Sequence, residues 1–215
     1  MRSTLLPISA ILLGILFLIA GHGLQLALIP LRAAAEGWTP FAIGAIGSAY
    51  YVGFVAGCVG APYIILRAGH IRAFAALVAL TTSITLAQPL LVSVPSWLFF
   101  RFLIGACFAG LYMIFESWLN DRVSNSDRGL IMSTYIVVNF VALFAGQFAV
   151  TLGTTTGFEL FIIAGLIVCV GGGFAIWAIY AQKFPLFCLG SMLLCAGQGF
   201  SWYYRFAAAE AAPPE

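Results

Sequence analysis

The chain has 215 residues, 63% of them hydrophobic and 7% charged, with a formal charge of +2; an ordinary soluble domain carries roughly 25% charged residues. So few ionic groups cannot clothe a surface in water, which excludes a soluble globular fold. The nine Lys and Arg residues are scattered rather than clustered, so there is no electrostatic footprint for nucleic acid, and the lipid bilayer is the solvent the composition implies.

A hydrocarbon core needs roughly 20 apolar residues per helix. Leu5–Pro30 is the first such run, too long and too lightly charged at its start for a secretory signal. Phe41–Leu66, Ala73–Val92, Trp97–Leu119, Leu130–Leu152 and Leu160–Ala181 follow, and Phe184–Tyr204 is a more polar seventh candidate. Long continuous runs of this kind are helices, because membrane strands are short, alternating and closed into barrels. The expected fold is an all-α integral membrane bundle of six transmembrane helices, or seven if the last run crosses. Residues 1–182 form the six-helix unit, 183–206 the seventh hydrophobic segment, and 207–215 a disordered tail.

Positive residues are retained on the cytoplasmic side. With the amino terminus inside, that side holds Arg2, Arg67, Arg72, Arg122, Arg128 and Lys183, and the other holds Arg32 and Arg205. The expected location is therefore the cytoplasmic (inner) membrane, multi-pass, with a cytoplasmic amino terminus. Trp38 and Trp97 fall near the outer interface and Trp118 near the inner one, where indole rings favour lying. The five cysteines sit inside apolar runs with no metal-ligand spacing, so no metal or other cofactor is expected.

Small residues let helices approach in lipid, and Gly53, Gly57 and Gly60 mark the second span as a packing helix or a dimer surface. Gly171–Gly173 mark a flexible or closely packed point in the sixth. Intramembrane ionisable groups carry more weight, since each needs a partner or a wet cavity. Arg101 either snorkels to the headgroups or lines a cavity and holds an anionic group. Glu116 either latches to Arg67, Arg72 or Arg128 or carries a proton. The two lie fifteen residues apart on one helix, roughly 22 Å, too far to pair. His22 and Gln25, one turn apart, suit a cavity wall or an interhelical hydrogen bond; Asn139, Gln147 and Gln88 offer the same choice. No HExxH, GxSxG or nucleophile with an adjacent base occurs, so the expectation is not an enzyme. At an offset of 85 residues Ser48, Tyr50 and Val52 meet Ser133, Tyr135 and Val137, compatible with a three-plus-three helix repeat.

Two stretches resemble the major facilitator superfamily, and especially its YcaD-like branch of bacterial permeases. Gly57 to Leu77 (GCVGAPYIILRAGHIRAFAAL) is similar to the superfamily's loop motif, with Gly57, Arg67, Gly69 and Arg72 at its glycine and basic positions; the usual Asp is missing. Arg101 to Tyr135 is similar to the fourth span and the start of the fifth, above all through Glu116-Ser117-Trp118-Leu119-Asn120. The resemblance covers about residues 5–180. It implies the amino-terminal six-helix half of a secondary active transporter, a permease of small molecules working by alternating access and driven by a proton or another ion. The partners it implies are a small-molecule substrate, the coupling proton or ion, the bilayer, and a carboxy-terminal half or a second copy of the chain. The competing readings are a truncated membrane scaffold that transports nothing and a homo-oligomeric channel gated at Arg101.

Overall fold

The structure is a computed structural model that describes residues 2–123 and 127–180. The expected seventh segment and tail, with Lys183 and Arg205, lie outside the described residues. Six helices follow in order: α1 Arg2–Ala35, α2 Pro40–Ala68, α3 His70–Ala87, α4 Val94–Arg122, α5 Arg128–Phe148 running into a 3-10 turn at Ala149–Leu152, and α6 Glu159–Tyr180. All six are long and apolar enough to cross a membrane, and the described residues contain no strand.

The helix ends follow from local chemistry. Thr39 caps α2 by accepting the Ala42 backbone N–H, and Pro40 stands in the first turn, where its missing donor costs nothing. Ser93 caps α4 in the same way through Ser96, with Pro95 behind it. The α2–α3 turn pivots on Gly69 at φ 80°, a left-handed conformation that suits a residue without a Cβ. Two expected boundaries differ. α3 stops at Ala87 instead of Val92: Gln88 keeps helical φ and ψ and still donates to the Ile84 carbonyl oxygen, but Pro89 has no backbone N–H with which to continue the ladder. α1 instead continues through Pro30 to Ala35, as membrane helices tolerate where neighbours resatisfy the backbone.

The helices form two layers. α1 and α4 stand centrally, α2 packs along α4 and α5 packs along α1, while α3 and α6 lie together behind them, α3 against α4 and α6 against α1. α1 and α3 scarcely touch. Exchanging the first three helices with the second three maps the α2–α4 contact onto the α5–α1 contact. The buried positions of α5 are Tyr135, Ala142 and Gly146; 85 residues earlier stand Tyr50, Gly57 and Ala61, all buried in α2. Both helices thus present the same register to their central partner, at the offset that the sequence alignment suggests.

Close approach depends on particular glycines. A Cβ on Gly53 would run into the Phe102 carbonyl oxygen, one on Gly57 into Ala106, and one on Gly105 into the Tyr50 carbonyl oxygen, so α2 and α4 meet backbone to backbone. Gly23 and Gly146 do the same between α1 and α5. Gly60, expected among the packing residues, does not join them: it has open space around it, because it lies off the 53–57 stripe and away from α4. Gly171 sits against Leu18 of α1 and Gly172 against Val78 of α3 within an unbroken helix, so this run is a contact surface between two neighbours.

Candidate functional site

Where α1, α2 and α4 converge, four side chains stack in sequence. The Arg101 guanidinium lies over the Tyr50 ring at 4.8 Å, Tyr50 stacks on His22 at 5.0 Å, and His22 meets Phe108 at 4.1 Å. Arg101 is 2% exposed and His22 3%. That burial removes the headgroup-snorkelling alternative for Arg101, whose charge is held inside the bundle. Its Nε and Nη1 have no hydrogen-bond partner, nor does His22 Nδ1, and among the described residues Arg101 forms no ion pair.

The magnitudes show what this arrangement lacks. An arginine in the middle of a membrane helix costs at least about 2.5–3.5 kcal/mol. A desolvated cation–π contact returns about 2 kcal/mol and satisfies none of the guanidinium's donors. The cluster is a cation preorganised on an aromatic ring with two unpartnered donor nitrogens, which is the chemistry of a receptor for a carboxylate or phosphate oxygen.

The structure separates His22 from Gln25. Gln25 is fully buried and reaches from α1 to α3, where its Nε2 donates to Thr85 Oγ1 at 2.5 Å. Of the two readings offered for that pair, Gln25 makes the interhelical hydrogen bond and His22 joins the aromatic stack. Glu116 is exposed on α4 and forms no ion pair with Arg67, Arg72 or Arg128. Asn139 bonds within its own helix, Nδ2 to the Tyr135 carbonyl oxygen at 2.9 Å. Tyr135 and Asn139 are thus joined within α5, and Glu116 stands on α4 away from the Arg101 cluster. Gln147 is exposed and belongs to neither that pair nor the cluster.

At the opposite end from the Trp38–Trp97 pair, whose rings meet edge to face at 4.9 Å, the α2–α3 turn borders a cleft of about 360 Å3. Gly69, His70, Arg72, Trp118 and Asp121 line it, and His70 Nε2 lies 3.3 Å from Ser117 Oγ. Arg67 and Arg72 are both exposed, so the basic loop-motif residues stay at the bundle's rim, away from the Arg101 cluster, while Gly57 packs on α4. Sequence reasoning gave no weight to Tyr50, the ring that carries both Arg101 and His22; its one signal was the 85-residue match to Tyr135.

Six apolar helices with an ionised group buried among them define a multi-pass membrane protein, and an all-helical bundle of six is consistent with one half of a major-facilitator-type fold. The comparisons point the same way. Over 149 residues the chain is 28% identical to the uncharacterized MFS-type transporter YcaD of Escherichia coli, in strains that include K12 / DH10B, O157:H7 EC4115 and O139:H28 E24377A. The match takes in 69% of this chain and 39% of each YcaD sequence. The chain is thus similar to an MFS-type transporter and spans about two fifths of the length of the YcaD sequences it matches. No protein-family model and no solved structure matches it.

Proposed function

We propose that the chain forms one wall of a secondary active transporter of the cytoplasmic membrane. It moves a small anionic molecule by alternating access, coupled to a proton or another ion, with its amino terminus on the cytoplasmic side. The observation that carries this reading is the buried, unpaired Arg101 over Tyr50. Such a charge is retained where something of opposite sign visits it, and the similarity to YcaD supplies transport as the context. The opposite wall is a carboxy-terminal six-helix half or a second copy of the chain. α2 and α5 flank the central helices with broad apolar faces, Val55, Val59 and Leu66 on one and Phe140, Phe144 and Phe148 on the other, available to such a wall and to lipid.

Glu116 is the coupling candidate, being an exposed carboxylate on a central helix. In vesicles carrying the chain, alone or with the carboxy-terminal half of YcaD, an imposed pH gradient should drive uptake from a panel of mono- and dicarboxylates and phosphate monoesters. Glu116→Gln should abolish the gradient dependence while leaving counterflow exchange intact and the melting temperature within about 2 °C, the effect of a surface substitution. Uptake by none of the panel in either arrangement would defeat the transport reading. Loss of exchange together with gradient-driven uptake would remove Glu116 from coupling alone.

A further inference from the structure

Behind α1, on the side away from Arg101, lies a second set of buried polar groups. Gln25 and Gln88 are each 0% exposed. Gln25 uses its Nε2 on Thr85, but its Oε1 has no partner, and neither Nε2 nor Oε1 of Gln88 has one. Thr85 cannot donate to either amide oxygen, because its one O–H already goes to the Thr81 carbonyl oxygen at 2.7 Å. Around α3, Gln88 stands about 60° and 4.5 Å from Thr85, one turn further along the helix. Trp97 borders the same place: its indole N–H donates to the Gln88 carbonyl oxygen at 3.0 Å, and its ring, itself 0% exposed, packs on Phe161 at 6.2 Å.

A dry arrangement would leave three polar atoms of two side-chain amides carrying their full desolvation penalty in a low-dielectric interior. α1 and α3 are held apart here, with a long side chain spanning the gap. We propose that Gln25 and Gln88 form an internal water-binding site between α1, α3 and α4. A bound water donates to Gln25 Oε1 and accepts from Gln88 Nε2, and Gln88 Oε1 takes a second donor from the same water or its neighbour. Water fits because it both donates and accepts, and because two to four polar partners hold it. A metal cation does not fit, since the Gln88 amide presents N–H groups and Arg101 already places a positive charge in the bundle. The site is separate from the proposed substrate path, because α3 lies behind the layer that contains α1 and α4.

Radiolytic hydroxyl-radical labelling of the full chain in lipid nanodiscs tests this directly, since radicals born from a bound water oxidise the nearest reactive ring. Trp97 should be oxidised despite its complete burial, whereas Phe115, equally buried in the apolar core, should not. Gln88→Met should abolish Trp97 oxidation and lower the melting temperature by roughly 2–4 °C. An unlabelled Trp97 in the wild-type chain would overturn the proposal. So would a Gln88→Met chain that melts higher, because a dry unsatisfied amide gains stability when an apolar side chain of similar shape replaces it. Should that variant fail to fold, the wild-type labelling decides alone.

Discussion

Gly53→Val should unfold the bundle more readily than any other single substitution considered. The new Cβ would fall on the carbonyl oxygen of Phe102, which is backbone within a packed helix and cannot rotate aside. Relief requires α2 to move away from α4, and that separation also loosens Gly57 from Ala106 and Gly105 from Tyr50. Overpacking costs about 1–3 kcal/mol where side chains can yield, and here they cannot. A fall of at least about 6–12 °C in the melting temperature of the detergent-solubilised chain follows, taking roughly 2–4 °C per kcal/mol at this length. Gly60→Val, three residues from Gly57 in sequence but facing open space, should stay within about 2 °C of the wild type. Equal melting of the Gly53→Val and wild-type chains would refute backbone contact between α2 and α4.

Arg101→Met should separate stability from recognition. Replacing a buried unpaired cation with an apolar side chain of similar length removes its desolvation cost while filling its volume, so the melting temperature should rise. Affinity for an anion should fall roughly 10- to 100-fold, the loss expected from one charge-assisted hydrogen bond. Arg101→Lys should not restore it, since an ammonium lacks the planar fork that lies over Tyr50 while presenting two donor nitrogens. Thermal melts and binding titrations with benzoate, succinate and inorganic phosphate would measure both effects. A lower melting temperature in Arg101→Met would make Arg101 structural and remove the anion site.

Particular residues mark how far the sequence could be read. Arg101 and Glu116 stood out because a charge in lipid is expensive wherever it faces. The sequence left Arg101 between a headgroup and a cavity, and only its burial over Tyr50 decided between them. His22 and Gln25 share a helical turn, yet they part: the first goes to the α2 and α4 rings and the second to α3. One turn of spacing still leaves about 60° between two side chains, enough to reach different neighbours. Gly53, Gly57 and Gly60 read alike as small residues, but two touch α4 and the third touches nothing.

What the amino-acid order determined alone is the solvent, the helical character of each run and where most helices start and stop. These depend on local quantities: apolar length against bilayer thickness, a capping hydroxyl, a proline after Gln88. What only the tertiary structure decided is which face of each helix meets which neighbour. Lipid tails are as apolar as leucine, so a membrane helix gains little by turning one apolar face inward, and no hydrophobic stripe records its rotation. Steric fit between backbones sets that rotation, through contacts between α2 and α4 or α5 and α1 that lie far apart in sequence. The stack of Arg101, Tyr50, His22 and Phe108 exists because those contacts bring three helices into one register.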